Sequence, residues 1–176
     1  MLKGFARRRE TRRIAAALYA RLSAQSRNPV FYAAHRVSDS FDGRFDLLVF
    51  HAWMVLEALR NQGQRELAQF LVDALFLRLD EALREQGASD MGMKRRMKKM
   101  AGAFYGRLHA YGEARDESAL AAALVRNLYR GEAARIEQAT LLAKYAGVAG
   151  TCLAQSPLAK GEADFGPVPA ANGDRA

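Results

Sequence analysis

The sequence predicts an all-α protein, a single compact bundle of about six to seven helices with a disordered C-terminal tail. Apolar residues recur at helical spacing through most of the chain. No segment alternates apolar and polar residues over six positions, and no Asn-Gly or Gly-Gly pair marks a hairpin. Half of the 176 residues are hydrophobic, which is enough for the core of one domain. We divide the chain into a basic N-terminal arm (1–11), an all-helical domain (12–155) and the tail (156–176).

The first helix is expected over residues 10–24, where one face carries Ile14, Leu18 and Leu22. Asn28 followed by Pro29 is typical of an N-cap and a first helical position, so a short helix should cover 29–36. Residues 38–43 form a loop.

The third helix covers "DGRFDLLVFHAWMVLEALR", residues 42–60, and ends at 61–63. Asp42 is the expected N-cap, and Asp46 lies in or near the first turn, where a carboxylate suits the helix dipole. The apolar run 47–56 is too short to cross a bilayer and indicates a buried core helix. His51 interrupts that run with no cysteine or carboxylate at a ligand spacing, which favours a core histidine over a general base or metal ligand.

The fourth helix is expected over 65–86, stopped by Gly87. Its polar residues fall in one narrow strip, so the other faces should be packed. Asp73 and Asp80 lie two turns apart in that strip and indicate a solvated or salt-bridged surface rather than a catalytic pair. Arg78 projects from the apolar side and needs a partner if it is buried.

Three further helices are expected over 89–112, 116–129 and, in Ala-rich sequence, 132–150. Gly102 and Gly106, four residues apart, suggest close helix packing. Beyond Ser156 the chain is rich in proline and glycine and poor in large apolar residues, which predicts disorder.

Charge and cysteine content narrow the function classes. The formal net charge is +8, and residues 1–13 and 94–99 each carry +5, so two basic patches lie on a nearly neutral body. Such patches favour acidic partners, either nucleic acid, anionic lipid or an acidic protein. One cysteine and three histidines exclude an internal disulfide and give no metal-site pattern, so no metal or cofactor is expected. No phosphate-binding loop is present.

The fifth helix concentrates one patch on one face. Its apolar face carries methionines and aromatic residues at helical spacing, while Lys94, Arg95, Lys98 and Lys99 lie opposite, with Tyr105 beside them. Like charges at this spacing repel one another, which favours a binding face over a merely solvated one. Earlier in the chain, the "DGR" turn uses Asp42 for capping and Gly43 for backbone freedom. Arg44 serves neither purpose and is available to Asp46, Asp80 or a partner.

Three blocks carry a family resemblance: "FDGRFDLLVFHAWMVLEAL", "ALFLRLDEALREQGASDMGMKRRMKKMAGAFYGRLHAYGEA" and "ALVRNLYRG". In order and spacing they resemble the ubiquinol–cytochrome c chaperone family over most of residues 12–131. The resemblance implies an all-helical, non-enzymatic assembly factor for ubiquinol–cytochrome c reductase. Its mitochondrial members hold newly made cytochrome b and work with a small partner near the ribosomal exit. The absence of their long targeting leader suggests a compact bacterial form.

The resemblance therefore implies an assembly chaperone, not an enzyme, whose client is cytochrome b and which takes no small-molecule substrate. Its further partners are the ribosome or a small partner protein, and anionic lipid at the cytoplasmic face of the inner membrane. The alternative is a ribosome- or RNA-binding helical module that uses the 94–99 patch. The expected partner-binding residues are Arg44, Asp46, Lys94, Arg95, Lys98, Lys99, Tyr105, Arg107, Arg126 and Tyr129.

Overall fold

A computed structural model describes residues 2–85 and 90–169, with side chains for 4–85 and 92–169. Its described residues contain seven α-helices and no strand, which confirms the predicted fold class. The helices are α1 (Leu2–Ser26), α2 (Pro29–Ala33), α3 (Phe41–Asn61), α4 (Arg65–Glu85), α5 (Asp90–Gly112), α6 (Glu117–Asn127) and α7 (Ile136–Gln155). Short 3-10 turns cover Ala133–Arg135 and Leu158–Lys160.

Helix α3 is the centre of the bundle, because it packs against α1, α4, α5 and α7. Most of its residues from Phe45 to Leu59 are buried, as the apolar run predicted. Helix α1 lies along α4, and α6 lies along α7. Across the described ranges, no helix combines the length and apolar character needed to cross a bilayer.

The N-terminal arm is the beginning of α1 rather than a separate segment, because the helix starts at Leu2. Residues 4–10 are exposed on it, and Arg7 reaches Glu66 of α4 at 2.9 Å. The predicted N-terminus of the second helix is confirmed: the Asn28 side chain accepts a hydrogen bond from the Val30 amide, and Pro29 is the first residue of α2.

His51 is a core histidine, as predicted. Its ring is fully buried, and Nδ1 donates to the Leu47 carbonyl at 2.9 Å. Nε2 lies 3.1 Å from the Tyr145 hydroxyl, which also accepts from Gln25 at 2.9 Å. Burial lowers the pKa of His51 to about 4, so the ring is neutral at physiological pH.

The polar strip of α4 is partly solvated and partly salt-bridged, as predicted: Asp80 is ion-paired, whereas the exposed Asp73 accepts a hydrogen bond from a neutral amide. Gln69 donates to Asp73, and Arg84 to Asp80. Arg78 is half-exposed and pairs with Glu81 at 2.8 Å, so it needs no buried partner.

Two expectations about glycine and the tail are wrong. A Cβ added at Gly102 or Gly106 would meet nothing within 4 Å, so neither glycine permits close packing. The disordered tail was predicted to begin at residue 156, which is too early, because residues 156–169 pack against the bundle. Leu158 is fully buried, Phe165 is 4 % exposed with its ring edge-on to His51, and the Pro169 carbonyl accepts from His35 at 2.8 Å. The rest of the predicted tail, residues 170–176, lies outside the described residues.

Candidate functional site

A cleft of about 510 Å³ lies where the first turns of α3, the middle of α5 and the end of α6 meet. It contains part of each of the three blocks that carry the family resemblance. The residues lining it are Phe41, Asp42, Phe45, Asp46, Arg96, Lys99, Met100, Ala103, Arg107, Arg126, Asn127 and Arg130. Five of these side chains are cationic and two are acidic, so the cleft is positively charged.

The start of α3 brings Asp46 to the floor of this cleft. Ser40, not the expected Asp42, is the N-cap, because its hydroxyl accepts from the Gly43 amide at 3.1 Å. Starting the helix at Phe41 places Asp46 in the second turn, facing inward, where it is 1 % exposed. Asp42 remains in the first turn and lines the cleft mouth, exposed to solvent.

Gly43 is required for space rather than for backbone freedom. Its φ is not positive, but an added Cβ would lie 2.1 Å from the Ser38 carbonyl oxygen. The loop before α3 therefore packs directly against its first turn, which holds Asp42 and Asp46 in place.

Asp46 is held by two arginines from different helices or turns. Arg107 of α5 reaches Oδ1 at 2.8 Å, and Arg130, after α6, reaches Oδ2 at 3.5 Å. Arg107 also donates to the Ala103 carbonyl at 3.1 Å and lies 6.0 Å from the centre of the Phe45 ring. Its buried Nε has no hydrogen-bond partner within the described part of the chain.

Burial raises the pKa of Asp46 to about 6, against the opposing effect of the Arg107 and Arg130 charges. The carboxylate is therefore mostly ionised at neutral pH, although its ionisation lowers the stability of the folded state. Charges kept at such a cost are concentrated at functional sites.

Arg130 is the most unusual residue of the cleft. Its φ is +53°, a left-handed conformation that is uncommon for a residue other than glycine, asparagine or aspartate. Its half-exposed guanidinium lies 3.4 Å from Asp42 and 3.5 Å from Asp46, so both contacts are long for charged hydrogen bonds. Backbone strain of this kind is found preferentially at binding and catalytic sites.

The structure brings together only part of the predicted site. Asp46, Lys99, Arg107 and Arg126 line the cleft. The other α5 residues, Lys94, Arg95, Lys98 and the 55 % exposed Tyr105, do not line it, and we refer to these four as the outer ridge.

Two predicted residues lie elsewhere. Arg44 points away from the cleft and pairs with Asp39 at 2.6 Å, rather than with Asp46 or Asp80. Tyr129 is buried, and its hydroxyl donates to the His35 carbonyl at 2.8 Å, which is a structural role.

The list of expected partner-binding residues left out three charged residues of the cleft, Asp42, Arg96 and Arg130. Arg96 was part of the basic run, and its position on α5 relative to Arg107, eleven residues later, places both on one helical face. Arg130 belongs to the "RNLYRG" block, but its left-handed backbone has no sequence signal.

Comparison with known proteins identifies the family. Residues 33–160 match the family model described as "Ubiquinol-cytochrome C chaperone". The chain belongs to the ubiquinol–cytochrome c chaperone family. The match includes all three blocks around the cleft and extends to the turn at Leu158–Lys160, within the segment that sequence reasoning had assigned to the tail.

Two relatives support this assignment. The chain is 25% identical over 119 residues to a mouse (Mus musculus) protein named "Ubiquinol-cytochrome c reductase complex assembly factor 1", and the match covers 65% of this chain and 40% of the mouse protein. The chain thus spans less than half the length of that relative. The crystal structure of the Cbp3 homolog from Brucella abortus is 35% identical, with a TM-score of 0.78 over 94% of this chain and 98% of the other.

Among the described residues, no group of three or more histidine, cysteine, aspartate or glutamate side chains is arranged to hold a metal ion. His51 has both ring nitrogens occupied inside the core. The cleft itself offers ion pairing and hydrogen bonding by the guanidinium and ammonium groups that line it.

Proposed function

We propose that this protein is an assembly chaperone for ubiquinol–cytochrome c reductase, and that it binds newly made cytochrome b at the membrane. The observation that carries the proposal is the meeting of all three family blocks at one cationic cleft. The names of the mouse relative and of the family support the role in assembly. The cleft is the proposed docking surface for the client, and the protein acts there by binding rather than by catalysis.

The proposed location is the cytoplasmic face of the inner membrane, where the protein is held peripherally. Two exposed groups of cations support contact with anionic lipid: the outer ridge on α5 and the arginines at the start of α1. Phe5, which is 74% exposed among those arginines, adds an apolar side chain that can enter the interface. Cations beside an anionic surface contribute roughly 1 kcal/mol each to binding.

Deletion of the gene in a bacterium that has ubiquinol–cytochrome c reductase tests the proposal. We expect the cytochrome b polypeptide and its spectral signal to fall while its messenger RNA is unchanged, and the full-length gene to restore both. Normal cytochrome b in the deletion strain would reject the chaperone role.

The second candidate is a ribosome- or RNA-binding module, which the outer ridge favours. Lys94, Arg95 and Lys98 are exposed, and Tyr105 offers an aromatic ring on which a base could stack. This function predicts RNA affinity that falls steeply with salt. It would be lost on replacing Lys94 and Lys98 by glutamine and retained when only cleft residues are changed.

A further inference from the structure

The cleft has more cationic groups than its own carboxylates neutralise. Asp42 and Asp46 face Arg107 and Arg130, which leaves Arg96, Lys99 and Arg126. Each of these three side chains is exposed, and none takes part in an ion pair among the described residues. Three cations around one recess attract an anionic group from outside the chain.

Arg130 is placed to change partners. Its contacts to Asp42 and Asp46 are long, so little interaction energy is lost if the guanidinium turns to a better placed carboxylate. Arg107, by contrast, is held by a 2.8 Å pair with Asp46 and by the Ala103 carbonyl, so it fixes the floor of the cleft. An incoming acid can therefore take Arg130 without leaving Asp46 unpaired.

The lining of the cleft favours a protein ligand over a phosphate chain. The lining also includes Phe41, Phe45 and Met100, and the partly exposed Phe41 offers a surface on which apolar side chains can pack next to the bound acids. The exposed Asp42 carboxylate at the mouth repels a continuous run of phosphates but leaves room for separate carboxylates.

We propose that the cleft binds an acidic segment of the client protein, in which carboxylate side chains pair with Arg126 and Arg130 and neighbouring apolar side chains pack on Phe41. This inference rests on the proposed function, because it names the chemistry of the segment that the chaperone holds. RNA and anionic membrane then bind, if at all, through the outer ridge.

The test uses the full-length protein and a fluorescent peptide of alternating glutamate and leucine, with a second peptide that has glutamine at each glutamate. We expect saturable binding of the acidic peptide only, weakened at least about tenfold by combining Arg126→Gln with Arg130→Asn. Asparagine is chosen at position 130 because it tolerates the left-handed backbone. The control combines Arg115→Gln with Lys144→Gln, exposed cations outside the cleft, and should bind as the original protein does.

Three results would overturn the inference: no binding of the acidic peptide, equal binding of both peptides, or equal weakening by the cleft and control variants. A fourth is loss of poly(U) RNA or phosphatidylglycerol vesicle binding in the cleft variant, with peptide binding unchanged. Deletion of the gene tests the chaperone role separately, so failure of peptide binding in a protein that restores cytochrome b would reject only the acidic segment. Thermal unfolding of each variant shows whether it is folded.

Discussion

Replacing Gly43 by alanine tests how the start of α3 is built around the cleft. The added Cβ would lie 2.1 Å from the Ser38 carbonyl oxygen and 2.9 Å from both the carbonyl carbon and the Cβ of Ser38. Ordinary contacts begin at 3.4 Å, so the loop must move by more than 1 Å. Backbone atoms cannot rotate out of the way as a flexible side chain can. The movement also pulls Ser40 away from the Gly43 amide that it caps.

The expected cost combines two effects. Overpacking costs about 1–3 kcal/mol, and loss of a serine cap about 1 kcal/mol. The free energy of unfolding should therefore fall by roughly 2–4 kcal/mol. For a chain of this size, that loss lowers Tm by roughly 5–15 °C.

Urea denaturation followed by circular dichroism measures this change directly. The matched control is Gly147→Ala in α7, an exposed helical position where an added Cβ meets nothing within 4 Å. The free energy of unfolding of the control should rise by about 0.5–1 kcal/mol because alanine has a higher helix propensity than glycine. A Gly43→Ala protein within about 0.5 kcal/mol of the original would refute the close approach of the 38–40 loop.

Burial in the folded state raises the pKa of Asp46 to about 6. The free energy of unfolding of the original protein should therefore fall by up to about 3 kcal/mol, relative to that of Asp46→Asn, as pH rises from about 4 to 6. Urea titrations across that range measure the difference, and a constant difference would contradict the raised pKa. Phe165→Ala should cost about 3 kcal/mol because the ring is buried against His51, whereas Glu162→Ala on the same segment should cost little. Equal stability of these two variants would show that the segment does not pack. Because burial lowers the pKa of His51 to about 4, its ring signals in NMR should stay in the neutral form from pH 8 down to about 5, and titration near pH 6.5 would place the ring in solvent.

The helices were predictable because apolar periodicity and capping residues are local signals. Asn28-Pro29 and Gly131 mark ends of helices that the structure also contains. The C-terminal segment was not predictable in this way. Leu158 and Phe165 are single apolar residues among prolines and glycines, so they form no periodic pattern, and only the folded bundle provides the surface that buries them.

The site was partly predictable for a similar reason. Helical spacing groups Arg96 with Arg107, but only the docking of α5 against α3 decides which face of the basic run meets Asp46. Ser40 caps α3 in place of the expected Asp42 because of how the folded loop is placed, and residue type alone does not decide this, since serine and aspartate are both common N-caps. The contact of Arg130 with Asp42 and Asp46 crosses more than eighty residues of sequence, and the pattern of a single chain does not contain it.

We propose that the cleft between α3, α5 and α6 receives newly made cytochrome b. Photo-crosslinking in living cells detects this contact when Phe41, which lines the cleft, is replaced by the similar aromatic residue benzoylphenylalanine. The control places the same group at Val148, a 47% exposed position on α7. We predict that pulse-labelled cytochrome b crosslinks to position 41 and not to position 148. Crosslinking from position 148 alone, or from neither position in cells that assemble the complex, would contradict the claim.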